Sequence, residues 1–138
     1  MGLIVYWSGK TGNTAKFVES LGMPAHRIGN HDDQVLVTAP FVLIIPTYAD
    51  GQGRGAIPKP VLRFMAAPQN RSRILGVIGG GNRNFGQTFA AGATAASINY
   101  GVPVLYRFEL AGMPQDTHRV QEGLHRLWTA QQQTPLAA

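Results

Sequence analysis

Apolar residues along this chain fall into two alternating patterns. Some form short, nearly unbroken runs, and others recur every three or four positions. Leu3 to Trp7 reads as a strand. Phe17, Val18 and Leu21 then share one face of a helix, which Gly22 and Pro24 end. Ala25-His26-Arg27-Ile28 reads as a short edge strand. Phe41 to Pro46 is almost wholly apolar, the pattern of a strand covered on both faces. Pro58 and Pro60 suit the first turn of a helix carrying Val61, Leu62, Phe64 and Met65, which Pro68 stops. Ile74 to Ile78 is the next strand, Gly79 to Gly86 a loop, and Thr88 to Ile98 a helix of small residues that packs closely. Val104 to Leu110 is the last strand. Val120, Leu124, Leu127 and Trp128 line a final amphipathic helix with Asp116 as its N-cap. Residues 1–130 thus form one domain, and the aperiodic stretch 131–138 is a frayed, disordered tail.

Strands alternating with helices imply right-handed crossovers and a parallel sheet, an α/β fold. Four strong strands and one weak edge strand match a five-stranded doubly wound sheet better than the six-stranded dinucleotide fold. Ligands of such sheets sit beyond the carboxyl ends of the strands. Three loops leave strong strands there, residues 8–14, 47–55 and 79–86, and they are the richest in Gly, Asn, Ser and Thr.

The first loop, Ser8-Gly9-Lys10-Thr11-Gly12-Asn13-Thr14, contains a Gly-Lys-Thr triplet. A triphosphate loop needs a glycine five residues earlier, and that position is Ile4, inside a strand. Lys10 also precedes the helix start. What remains is a cluster of hydroxyl, amide and backbone N–H groups at a helix N-terminus, suited to one dianionic phosphate without an obligatory cation. A plain N-cap at Asn13 or Thr14 accounts for part of the same pattern. In the second loop Tyr48 precedes Gly51 and Gly53, so a ring can lie on a flat ligand while backbone approaches it. The third departs from the dinucleotide fingerprint at Asn84, where glycine is required. Its three glycines bare backbone groups for a heteroaromatic edge, and Phe85 offers a stacking surface.

Composition narrows the chemistry. The 138 residues are 44% hydrophobic and 14% charged, as in a globular domain. No apolar run approaches a membrane span, and no basic segment precedes Leu3, so neither a membrane helix nor a signal peptide is expected. The absence of cysteine removes disulfides, thiolate metal sites and thiol nucleophiles. A cytoplasmic protein is expected. The net charge is +5, yet the twelve basic residues are scattered, with only Arg71 and Arg73 a close arginine pair. A general solubility effect or an acidic protein partner accounts for this at least as well as nucleic acid does. His26, His31, His118 and His125 lack metal-ligand spacing, and Ser8 has no nucleophile-elbow context. With no acid–base team, hard chemistry would belong to a cofactor.

In this order the loops resemble a known family. "GKTGNTAKF" resembles the phosphate loop of flavodoxin-like proteins. "PTYADGQG" with "GAIPKPVLRF" is similar to the second loop and helix of the NrdI family. "GVIGGGNRNFG" is similar to that family's most recognisable stretch, and "VPVLYRFELAGMPQD" to its last strand and turn. The resemblance spans Leu3 to Trp128. It implies a flavodoxin-like sheet of order 2-1-3-4-5 binding FMN and serving the class Ib ribonucleotide reductase. In such proteins the reduced flavin turns dioxygen into superoxide or a related oxidant. That oxidant passes to the dimanganese site of the reductase's radical subunit, where a tyrosyl radical forms. The implied partners are that subunit, O2, and an upstream reductase of flavin, ferredoxin or thioredoxin type, with no nucleic acid or membrane. The role is that of an activating accessory protein.

By position, the resemblance assigns Ser8, Gly9, Lys10, Thr11, Gly12, Asn13 and Thr14 to the phosphate. Thr47, Tyr48, Ala49, Asp50 and Gly51 would border the isoalloxazine, and Gly80, Gly81, Asn82, Asn84, Phe85 and Gly86 its other edge. Ala49-Asp50 departs from the glycines that often follow the family's loop tyrosine. A carboxylate there either points to solvent or disfavours an anionic reduced flavin. The positive net charge works the other way and would retain a superoxide anion, with Arg83 lining its exit or the partner's footprint. Two alternatives stay open: a short-chain flavodoxin that only carries electrons, and a cofactor-free basic binding module.

Overall fold

A computed structural model of the chain describes residues 2–30, 35–47, 56–81 and 90–133. Five strands, Leu3–Tyr6 (β1), Ala25–Arg27 (β2), Phe41–Ile45 (β3), Ile74–Gly81 (β4) and Val104–Glu109 (β5), form one sheet in the order β2-β1-β3-β4-β5. Every strand pair is parallel. The helices are Asn13–Leu21 (α1), Lys59–Met65 (α2), Pro68–Arg71 (α3), Ala91–Tyr100 (α4) and Pro114–Gln133 (α5). The strand order is the one the flavodoxin resemblance implies, and it reverses direction at β1, between β2 and β3.

Because successive strand residues point to opposite faces, β1 and β3 feed two cores at once. Val5, Leu43 and Ile45 pack with Phe64 and Met65 of α2 and with Ala93 and Ala96 of α4. Ile4, Val42 and Ile44 pack on the other face with Phe17, Val18 and Leu21 of α1 and with Val120, Leu124 and Trp128 of α5. All five residues of β3 are 0% exposed, which is why this segment reads as an unbroken apolar run. Truncating a fully buried aromatic such as Phe17 or Phe41 to alanine would cost about 3–5 kcal/mol.

Several boundaries differ from the sequence reading. Gly79, Gly80 and Gly81 belong to β4 rather than to the loop after it. A Cβ at Gly79 would lie 2.3 Å from the Ala93 Cβ, and one at Gly80 would lie 2.7 Å from the Phe108 ring. Gly79 therefore lets α4 close onto one face of β4, and Gly80 leaves room for the ring of Phe108, its partner on the neighbouring strand β5. Asp116 is not the N-cap of α5. It stands in the first turn and accepts the Met113 N–H at 2.7 Å, so the last helix starts earlier than expected. At its other end α5 runs through Gln133, into the stretch that lacks periodicity. The short α3 has no apolar period to announce it. Its Asn70 is 0% exposed and fully bonded: Oδ1 accepts Val37 N–H, and Nδ2 donates to the Val35 and Phe64 carbonyls.

Candidate functional site

β1, β3 and β4 are neighbours in the sheet, so the segments leaving their carboxyl ends share one rim. From β1 the chain runs through Trp7 and Ser8, both buried, into a tight turn in which Gly12 N–H donates to the Gly9 carbonyl at 3.1 Å. Gly12 has φ 72° and ψ 8°, a left-handed conformation in which an L side chain is strained. Helix α1 starts directly after it, and the Gly12 carbonyl accepts the Lys16 N–H at 3.0 Å.

Neither Asn13 nor Thr14 caps this helix. The cap comes from Ser8, whose Oγ accepts the Ala15 N–H at 3.1 Å across seven residues. Thr11 Oγ1 takes the Asn13 N–H more weakly, at 3.4 Å. Among the described residues, the N–H groups of Lys10, Thr11 and Thr14 have no hydrogen-bond partner. Three free donors thus stand in the turn and first helical residues, at the positive end of the α1 dipole. Lys10 and Thr11 are exposed, Asn13 is half-buried and Thr14 is 2% exposed. The Ser8 hydroxyl accepts one bond and keeps its own hydrogen for donation. This donor set, with no cation required, is chemically suited to a terminal phosphate.

At the end of β3 stands Thr47. Its Oγ1 donates to the Gly80 carbonyl at 3.0 Å and accepts the Gly92 N–H at 3.1 Å. Gly80 is buried, while Gly81 is half-buried and its carbonyl accepts the Leu110 N–H at 2.9 Å. The structure therefore brings together Ser8 to Thr14, Thr47, Gly80 and Gly81 along one rim. Tyr48, Ala49, Asp50, Gly51, Asn82, Arg83, Asn84, Phe85 and Gly86 lie outside the described residues.

Trp7, Asn30 and Leu110 also touch this region without having been singled out by the sequence. Trp7 Nε1 donates to Asn30 Oδ1 at 2.7 Å, tying the start of the turn before α1 to the chain beyond β2. A tryptophan directly before the turn was the only local signal. Leu110 adopts φ 55° with its side chain 51% exposed, and Met113 beside it is 63% exposed. Away from the rim, His118 pairs with Glu122 at 2.8 Å on the solvated face of α5. Among the described residues no group of three His, Asp or Glu side chains is placed to hold a metal. No described helix is long and apolar enough to cross a membrane.

Residues 4–122 match the family described as NrdI flavodoxin-like. A protein named NrdI from Ruegeria sp. (strain TM1040) is 51% identical over 130 residues, covering 94% of this chain and 93% of that protein. The NrdI of Paracoccus denitrificans (strain Pd 1222) is 53% identical over 130 residues, with 93% and 94% covered. That of Brucella ovis is 47% identical over 134 residues, with 96% and 99% covered. Among solved structures, oxidised flavodoxin 2 from Bacillus cereus superposes with a TM-score of 0.62 at 14% identity, covering 91% of this chain and 99% of that one. A short-chain flavodoxin associated with a PDU bacterial microcompartment superposes with a TM-score of 0.60 at 20% identity, with 91% and 97% covered. At these identities the two flavodoxins speak for the fold alone.

Proposed function

This chain belongs to the NrdI flavodoxin-like family, and on that premise we propose that it binds FMN and supplies an oxidant for the class Ib ribonucleotide reductase. The oxidant is superoxide or a close relative, and its use is assembly of the dimanganese-tyrosyl radical cofactor in the reductase's radical subunit. FMN, when bound, supplies the one-electron reduction of dioxygen.

The observation that carries this reading is the set of free N–H groups at Lys10, Thr11 and Thr14, in the turn that Ser8 braces against α1. A single terminal phosphate satisfies those donors, whereas a triphosphate loop would need a glycine at Ile4. In the proposed site Ser8, Gly9, Lys10, Thr11, Gly12, Asn13 and Thr14 hold the phosphate. Thr47, Tyr48, Ala49, Asp50 and Gly51 stand on one side of the ring system, and Gly80, Gly81, Asn82, Asn84, Phe85 and Gly86 on the other. In this reading the chain's residues bind and orient the cofactor, and the redox step rests with FMN.

Charge supports delivery of an anion. A chain of net charge +5 attracts superoxide over roughly a Debye length, ~8 Å at physiological salt. The exposed pair Leu110 and Met113, on the same rim, gives a partner protein apolar surface to cover beside the proposed site. An upstream reductase of flavin, ferredoxin or thioredoxin type supplies electrons, and the protein works in the cytoplasm.

Purified protein should be yellow and release FMN on denaturation; a colourless protein that takes up no FMN returns the basic binding module. Superoxide production is then measured from the reduced protein, alone and with the manganese-loaded radical subunit. Tyrosyl radical formation dependent on this protein and on O2 supports the proposal. Electron transfer to a carrier acceptor with no radical formation makes the protein a plain flavodoxin.

A further inference from the structure

Two helices border the rim, and each takes its cap from a hydroxyl at the end of a strand. Ser8, beyond β1, caps α1, and Thr47, beyond β3, caps α4. Ala90, the residue before α4, makes no side-chain cap bond of its own. The Gly92 N–H is a first-turn donor with no partner inside its helix, and Thr47 supplies one across 45 residues.

The same Thr47 hydroxyl gives its hydrogen to the Gly80 carbonyl in β4. Gly81 ends β4, and Ala90 directly precedes α4. One side chain at the end of β3 therefore joins the end of β4 to the start of α4. A threonine hydroxyl donates once and accepts up to twice, and its branched Cβ restricts its rotamers, so a single group can hold both bonds.

The surroundings leave little slack. A Cβ at Gly92 would sit 2.7 Å from the Pro46 carbonyl oxygen and 3.0 Å from that of Ala56, so the first turn of α4 lies directly on the chain around Thr47. Ala90 enters α4 at φ 53°, a left-handed conformation that costs a non-glycine residue about 1 kcal/mol. Such strain persists where neighbouring contacts hold the backbone in place, as the Thr47 bridge does here.

We infer that Thr47 is a positioning residue: its hydroxyl holds the end of β4 at Gly80 and the start of α4 at Gly92 in fixed relation to the end of β3, and so sets the shape of the rim at which the ring system would bind. The inference rests on the reading that this rim borders FMN. Thr47 acts through the backbone of β4 and α4 and needs no contact with the ring.

Full-length Thr47→Val and Thr47→Ser proteins test it. Thr47→Val keeps the shape and removes both bonds, so the FMN dissociation constant should rise about tenfold. The visible circular dichroism of the bound flavin should change with it. Thr47→Ser keeps the hydroxyl and should restore the spectrum, with affinity within about twofold of wild type. Unchanged affinity and spectrum in Thr47→Val, or no rescue by Thr47→Ser, overturns the inference. Amide exchange at Gly92 in flavin-free protein reads the bridge without the cofactor. Gly92 should be protected in wild type and Thr47→Ser, and an unprotected Gly92 in wild type also overturns the inference, even where Thr47→Val does not fold. Protection of Gly92 in a wild-type protein that binds no FMN leaves the bridge standing and removes the flavin reading alone.

Discussion

The Ser8 hydroxyl, one residue past the buried Trp7, accepts the Ala15 N–H at 3.1 Å and so joins the end of β1 to the first turn of α1. This bond makes Ser8 part of the scaffold as well as part of the proposed phosphate site. Ser8→Ala leaves a partly buried first-turn donor unpaired, and the apo-protein should lose about 1 kcal/mol in urea unfolding. FMN binding should weaken too, because the turn carrying the free N–H groups is no longer braced. An apo-protein of unchanged stability would show that water replaces the serine at no cost.

Lys10 stands in the same turn but is exposed. A solvated charge contributes up to about 1 kcal/mol and is screened by salt. Lys10→Ala should therefore weaken FMN binding no more than about fivefold, with the difference shrinking as salt rises. Fluorescence titration of FMN at two ionic strengths measures both. Complete loss of flavin would mean that the lysine, rather than the backbone, holds the phosphate.

Gly79 tests how closely α4 must approach the sheet. Its Cβ would lie 2.3 Å from the Ala93 Cβ and 3.2 Å from the Ala93 Cα, so Gly79→Ala forces α4 off β4. Overpacking of this kind costs about 1–3 kcal/mol, which at this chain length lowers Tm by about 4 °C for each kcal/mol. Because Gly92 and its bond to Thr47 ride on the same helix, FMN affinity should fall in parallel. Calorimetry of the apo-protein and flavin titration together check the prediction.

A pH dependence follows from Tyr106, whose hydroxyl donates to Asp116 Oδ1 at 2.5 Å. That bond, with a smaller part from burial and against the opposing pull of Arg119, raises the phenol above its ordinary value of 10.0. The folded phenol holds its proton more tightly than the unfolded one. Its contribution is thus complete below pH 10 and disappears as pH climbs through the raised folded value. Tyr106→Phe should cost about 0.5–1 kcal/mol at neutral pH, since the pair is partly solvated. Against wild type, that deficit should close in alkaline unfolding experiments. A deficit that stays constant to high pH rules out the hydrogen bond as its source.

Asp50 carries the last prediction. If its carboxylate faces the flavin, Asp50→Gly should raise the potential of the final reduction step, because removing a like charge favours an anionic reduced flavin. Potentiometric titration of both proteins measures it. Identical potentials would place Asp50 in solvent.

Much of the architecture was legible because it is local. Five apolar residues in succession, Phe41 to Ile45, announce a strand buried on both faces, and all five are fully buried. Gly22 ends α1 in the left-handed conformation expected of a glycine C-cap. The rim could be anticipated as well, since strands alternating with helices put the three polar loops at the carboxyl ends of one parallel sheet.

What tertiary structure decided are the relationships between distant segments. Ser8, rather than Asn13 or Thr14, caps α1 because folding brings its hydroxyl to the Ala15 N–H. Thr47 became a bridge because Gly80 and Gly92, 33 and 45 residues away, arrive on either side of its oxygen. Gly79 and Gly80 read as loop residues by composition, yet they are strand residues whose missing side chains make room for Ala93 and Phe108. Periodicity along a chain records which side of an element is apolar. It does not record which atom of another element will occupy the space beside it, and that decided the caps, the bridge and the close packing around β4.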